Sequence, residues 1–270
     1  MAENEAILRA IAADPYLQKR KKLSETDLQL HLKEVSFLCP LCGKILRHRK
    51  QKKANKLYEI AHIYPNRPTV EQYKLLRGLE RLGDNSESFE NKTALCKDCH
   101  DQQDYHTTVE DYLYLLGKKK KFLSQTELSE ATITMGLEPQ IAEVVMKISS
   151  LRENEIATLN YKPVSLAKKF SGEEMLLKNR VSMNVTNYFP YIRECFKEIE
   201  GIGGFSLDAL CLQIKSCFTK MEKISTHKSD IFEQLVNWVM AKTCSSSKEA
   251  CEAVISFFIQ NCDVFHEITE

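Results

Sequence analysis

Four of the ten cysteines fall in two CxxC pairs, Cys39 and Cys42 in "CPLCG" and Cys96 and Cys99 in "CKDC". A CxxC turn brings two thiolates onto one ion, and two such turns complete a tetrahedral four-thiolate shell. Gly43 lets the first turn fold back so that backbone amides face the sulfurs. The pairs are farther apart than in compact zinc ribbons, and an inserted amphipathic segment accounts for the gap. A complete thiolate shell has no open position for water, so a zinc ion there would be structural.

His100 follows Cys99 directly, so with Cys99 facing the ion His100 must point elsewhere. On a helix His100 and Asp104 share a face at a four-residue spacing that suits two ligands of a divalent cation. Upstream, "YEIAHIYPN" sets His62 on a short β segment, with Glu59 on the opposite pleat face. Asn91 precedes Cys96 by five residues in a polar loop. Glu59 and Asp104 read equally well as solvated carboxylates. His106 reads as a surface residue, and His31, His48, His227 and His266 have no constellation around them.

Between the first cysteine pair and His62 lies "RHRKQKKANK", residues 47–56, with six Lys and Arg side chains. A basic loop beside a metal site suits contacts to nucleic-acid phosphates, made here by Arg47, Arg49, Lys50, Lys52 and Lys53. A solvated charge run is the plainer alternative.

The elements that must position these residues fall into three stretches. Residues 1–36 form an N-terminal helical segment, in which "SETDLQLHLKEV" opens on a Ser or Thr cap and "KRKK" (19–22) separates two short helices. Residues 37–117 hold both cysteine pairs, a candidate hairpin in "KLYEIAHIYPN" and an inserted helix in "TVEQYKLLRGLERLG". "KKKK" (118–121) marks a hinge. Residues 118–270 then show apolar residues at three- and four-residue intervals almost throughout, as in "DIFEQLVNWVMAKT". That second half reads as an all-α domain of six or seven helices whose stripes form a core first, with room for a partner face. The fold class is thus α+β followed by all-α. Its six remaining cysteines, Cys195, Cys211, Cys217, Cys244, Cys251 and Cys262, read as buried free thiols of a reducing compartment.

Composition excludes other classes. Thirty-eight basic and 37 acidic residues leave a net charge of +1, so nucleic-acid contact cannot rest on whole-molecule charge and needs local patches. The N-terminus lacks a signal core, and no apolar run approaches the roughly 18 residues of a membrane span. A cytoplasmic protein without membrane contact is expected.

The segments "CPLC", "AHIYP" and "ENKTALCKDCH" resemble the HNH nuclease family at its four-cysteine, zinc-bearing branch. The resemblance covers roughly residues 37–106 and implies a ββα-metal fold and hydrolysis of DNA phosphodiesters. Carried over, His62 is similar to the family's general base, Asn91 to the asparagine that holds the base or its loop, and His100 to the metal-ligating histidine. The catalytic ion would be Mg²⁺ or Mn²⁺, with Asp104 and Glu59 as further oxygen donors. One position departs from the pattern: many members carry Asp or His just before the base, where this chain has Ala61.

"AVISFFIQNCDVFHEI" and "YKPVSLAKKFSGEEMLLKNRVSMNVTNYFPYIRECF" resemble a C-terminal domain of effectors in bacterial ABC-three-component systems, a group that includes Lamassu-type defence. This second resemblance implies a nuclease acting on double-stranded DNA in antiphage or anti-plasmid defence. It would be tethered to an SMC- or ABC-type ATPase and a small accessory subunit, with homo-oligomerisation as one route to activation. A stand-alone restriction endonuclease, or a non-catalytic zinc-containing DNA-binding or scaffold subunit, are the competing expectations.

Overall fold

The computed structural model describes residues 2–50, 53–152, 166–262 and 264–265. The chain divides into two compact units, Met1–Leu123 and Ser124–Glu270.

In the first unit, helices α1 (Ala2–Ala13) and α2 (Glu25–Glu34) precede the strands. A capping box starts α2: Ser24 Oγ accepts from the Asp27 N–H at 3.1 Å, and Asp27 Oδ2 accepts from the Ser24 N–H at 3.0 Å. The basic stretch expected as a loop is instead a hairpin, β1 (Arg47–Lys50) paired antiparallel with β2 (Lys53–Lys56). Its base is held where the Leu57 N–H donates to the carbonyl of the fully buried Leu46, at 3.0 Å. Anchoring through that apolar residue lets an otherwise polar sequence pair as strands.

The hairpin expected inside "KLYEIAHIYPN" does not form. That segment supplies one strand, β3 (Tyr58–His62), whose partner is β4 (Lys92–Cys96). The register sets Tyr58 opposite Cys96, Ile60 opposite Ala94 and His62 opposite Lys92. All five β4 residues are buried, so β4 has a core to join that a local return strand would lack. Between the strands the inserted helix is short: α3 (Val70–Leu75) starts on a Thr69–Gln72 capping box. It stops before Gly78 and Gly83, both at positive φ, which break the longer helix expected there.

Helix α4 (Lys97–Tyr105) follows β4 without a loop and packs on β3 and β4. Around this strand–strand–helix core lie Leu32, Ile63, Tyr64, Leu76, Leu95 and Tyr112. The "KKKK" run, expected as a hinge, lies within helix α5 (Val109–Ile133), just ahead of the point where the two units divide. Lysine is a good helix former and no proline interrupts. Lys119 is completely buried and gives both carboxylate oxygens of Glu34 hydrogen bonds, at 2.6 and 2.8 Å.

In the second unit, α6 (Ile141–Ser149), α7 (Met175–Ile202), α8 (Leu207–Glu222), α9 (Lys228–Thr243) and α10 (Lys248–Asn261) enclose one apolar core, with no strand among the described residues. Helix α10 packs against α6, α7 and α9, and its Phe257, Phe258 and Ile259 are buried, so "ISFFIQNC" is core. The Lys169 ammonium caps that helix end, donating to the carbonyls of Ile259, Cys262 and Val264. Of the six thiols, Cys195, Cys217 and Cys251 are buried as expected. Cys211 and Cys262 are half-buried, and Cys244 is exposed in the left-handed cap of α9. Tyr161–Ser165 and His266 lie outside the described residues. No helix among the described residues is long and apolar enough to cross a membrane.

Candidate functional site

Each cysteine pair occupies a turn that the local backbone dictates. In the first, the Gly43 N–H donates to the Cys39 carbonyl and the Cys39 N–H to the Lys44 carbonyl, both at 2.8 Å, with Gly43 at φ 73°. In the second, Cys96 is the N-cap residue of α4 and Cys99 lies in its first turn; burial pushes both thiols up, against a backbone N–H at Cys99 that favours the Cys96 thiolate. The four sulfurs lie within 4.8 Å of one another, and Cys42 Sγ and Cys96 Sγ are 3.5 Å apart. Sulfurs bound at about 2.3 Å around one tetrahedral ion stand about 3.8 Å apart, so the cluster fits a metal such as zinc. An exposed ion pair between Lys44 and Asp98, 2.6 Å, joins the two turns.

His62, at the end of β3, is mostly buried. Its Nε2 stands 2.8 Å from Oε1 of Glu87, a carboxylate only 1% exposed. Glu87 also receives hydrogen bonds from Asn66 Nδ2 (2.9 Å), Lys92 Nζ (2.8 Å) and the Lys21 N–H (2.9 Å). Lys92 stands opposite His62 in the β3–β4 register, so one buried carboxylate spans a cross-strand pair. Burial pushes the Glu87 carboxyl up, but the hydrogen bonds from Lys92, the Lys21 amide and His62 outweigh it and hold the group below the usual carboxylate range. Burial likewise drives His62 below its ordinary value, further than the bond to Glu87 raises it, with Lys92 and Arg20 adding repulsion. An ionised Glu87 can only accept, so the neutral ring carries its hydrogen on Nε2, and Nδ1 keeps the lone pair.

His100, on the first turns of α4, is flanked by two carboxylates. Its Nδ1 lies 2.6 Å from Glu59 Oε2, and its Nε2 lies 3.5 Å from Asp104 Oδ2. Among the described residues the four cysteines are the one group of three or more His, Cys, Asp or Glu side chains whose donor atoms converge as a metal site. His100 and Asp104 thus form a pair, with Glu59 behind the ring. His62, His100 and Asp104 line a single cavity of about 370 Å³ together with Arg20, Arg67 and Gln72. A second cavity of about 480 Å³ shares His62 and Arg20 and adds Lys21, Lys22, Glu59, Glu87 and Lys92.

Asn91 is completely buried and touches neither cavity. Its Oδ1 accepts from the Tyr64 N–H at 2.8 Å, and its Nδ2 donates to the Tyr64 and Ser86 carbonyls at 3.0 Å. It therefore fastens the loops on both sides of Glu87 and His62 rather than His62 itself. Ala61 is fully buried and offers no ligand. Arg47 lines neither cavity; the side chains of Arg49, Lys50 and Lys53, and all of Lys52, lie outside the described residues. Sequence reasoning missed Glu87, Lys92, Arg20 and Arg67. It also left His31 without a constellation, yet His31 is buried and stacked on Phe89 with ring centroids 4.3 Å apart. Lys92 comes to His62 only through the β3–β4 register, for which the sequence carries no local signal.

No curated protein and no solved structure matches the chain. A family model, C-terminal domain 11 of the ABC-three-component systems, matches residues 128–265, which lie within the helical second unit. That match spans just over half of the 270 residues, and the chain belongs to the family carrying C-terminal domain 11 of the ABC-three-component systems.

Proposed function

We propose that this chain is a metal-dependent HNH-type DNA endonuclease, the effector of an ABC-three-component system directed against phage or plasmid DNA. The observation that supports it most is the cavity on the β3–β4–α4 unit. There His62, oriented by a buried carboxylate, faces the same space as the His100–Asp104 pair. His62 Nδ1 would accept the proton of an attacking water, and Glu87 would stabilise the imidazolium that results. Glu59 holds a hydrogen on His100 Nδ1, which directs the Nε2 lone pair toward Asp104. Those two donors would hold Mg²⁺ or Mn²⁺, leaving the remaining positions to water and phosphate as such ions prefer. Once bound, the ion supplies charge stabilisation at the phosphate. Asp104 answers the absence of a ligand at Ala61. A structural zinc on Cys39, Cys42, Cys96 and Cys99 would fix the start of α4, and the hairpin 47–56 would contact the duplex.

Family membership supports a multi-component setting, in which residues 128–265 tie the nuclease unit to an SMC- or ABC-type ATPase and a small accessory subunit in the cytoplasm. The test is nicking of supercoiled plasmid with Mg²⁺ or Mn²⁺, by the chain alone and with the products of neighbouring genes. His62→Ala and His100→Ala should each abolish nicking while keeping the fold and zinc content. Wild-type rates in either variant would refute the assignment. A chain that never nicks, alone or assembled, would favour the non-catalytic scaffold, and full activity without partners would favour a stand-alone enzyme.

A further inference from the structure

The "KRKK" stretch between α1 and α2 has no part in that chemistry, yet the chain fastens it beside His62. The Gln18 N–H donates to Ser86 Oγ at 2.9 Å, the Lys21 N–H to Glu87 Oε2 at 2.9 Å, and the Ser86 N–H to the Tyr16 carbonyl at 2.7 Å. Tyr16, Leu17 and Leu23 pack onto the apolar core, so the strap is held at both ends by burial and in the middle by main-chain bonds. The side chains of Arg20, Lys21 and Lys22 take no part in this fastening. They are exposed and make no ion pair among the described residues. Arg20 lines both cavities that meet at His62, and Lys21 and Lys22 line the larger one.

Three adjacent cations held without a counterion, on the wall of an open cavity, call for an anion from outside. The two cavities share His62 and Arg20 in their linings, with Arg67 in the smaller and Lys21 and Lys22 in the larger. A compact anion would fill one of them. A polymer threading past His62 would need a positive contact in each. We infer that Arg20 and Lys22 form a binding site for a backbone phosphate of the DNA strand next to the one facing His62 and His100, on the strap side of the site. The proposal rests on the endonuclease reading but concerns binding, which is measured separately from cleavage. Arg20 repels a proton from His62, which places its charge within electrostatic reach of that ring.

The experiment uses the full chain carrying His62→Ala, so that no strand is cut. Fluorescence anisotropy follows a labelled 20-base-pair duplex, without added divalent ion, across a sodium chloride series. Each phosphate contact contributes about 0.9 to the slope of log K against log salt. Adding Arg20→Ala and Lys22→Ala should lower that slope by about 0.9, the value of one phosphate, and weaken binding roughly 10-fold at the lower salt. Lys220→Ala, an exposed lysine of α8, should leave both unchanged. The Arg20 and Lys22 side chains take no part in the fastening, so the alanine variants keep their fold, and an unchanged melting curve checks this. Unchanged slope and affinity in the strap variants would overturn the site, as would an equal loss in Lys220→Ala. A lowered slope in a protein whose wild type cuts no DNA would support the strap and refute the endonuclease reading instead.

Discussion

Replacing Glu87 by glutamine changes one atom in a site where both carboxylate oxygens are already committed. Oε1 accepts from His62 and Asn66, and Oε2 accepts from Lys92 and the Lys21 amide. Glutamine has one accepting oxygen and one donating nitrogen. With the oxygen toward His62, its NH₂ meets the Lys92 ammonium and the Lys21 N–H, donor against donor. With the oxygen toward Lys92, its NH₂ meets His62 Nε2 and moves the ring hydrogen to Nδ1. The second arrangement wins, because Lys92 is only 4% exposed and a buried cation needs an acceptor. The base then lacks its lone pair, and the loss in nicking rate should reach roughly 10⁴-fold, the scale seen when an orienting carboxylate is made an amide. Lys92 also loses its ion partner. Breaking a buried pair from one side costs about 3–5 kcal/mol, and the retained bond from Lys92 to the Glu87 carbonyl points to the lower figure. That corresponds to a fall in melting temperature on the order of 10 °C. Adding Lys92→Met removes the stranded charge and should restore most of the stability but none of the activity. Circular dichroism melts, plasmid nicking and nitrogen-15 spectra of the imidazoles separate these effects. A Glu87→Gln protein that nicks at the native rate, or whose His62 keeps its hydrogen on Nε2, would refute the reasoning.

Elemental analysis should find one zinc per chain, and Cys96→Ser should lose both the metal and the cooperative melt of the first unit; a metal-free native protein would remove the site. Stability should fall on acidification through His31, which burial holds at a pKa of about 3 with Lys119 and Lys92 adding to the effect. The unfolded chain takes up that proton near pH 6.5 while the native chain does not, so stability drops from about pH 6.5 toward 3, by up to ~1.4 kcal/mol per pH unit. Urea midpoints between pH 7.5 and 5.5 should have a flatter slope in His31→Phe, and an identical slope would contradict the assignment. Lys119→Met should cost about 3–5 kcal/mol by leaving Glu34, 3% exposed, without its partner. Combining it with Glu34→Gln should recover most of that loss in the same denaturation assay, and strict additivity of the two would refute the pairing.

The cysteines were legible because spacing alone makes a CxxC turn converge on one ion, whatever the surrounding fold. Helices of the second unit were legible for a similar reason, since their 3.6-residue period is local. Strand pairing was not. His62 finds its partner in Lys92, and nothing within 56–66 announces a partner thirty residues away. Glu87 was invisible for the same reason: in "NSESFENKT" it looks like any loop glutamate, and only the return of the loop through Asn91 and Ser86 buries it. Lys119 misled in the opposite direction, because a run of four lysines reads as a hinge, yet one of them faces inward to Glu34.

These failures share a physical cause that bears on how the site holds together. Asn91, Glu87 and Lys92 lie within six residues and act on three different neighbours, the Tyr64 backbone, His62 and each other. The same strand ends in Cys96, which caps α4 and stands opposite Tyr58 on β3. One short segment therefore sets the orientation of His62 at its start and the direction of the helix bearing His100 at its end. The four-cysteine cluster clamps that end to the turn at 39–42. Loss of its metal should accordingly loosen His100 and Asp104 before it disturbs the hydrogen bond from His62 to Glu87.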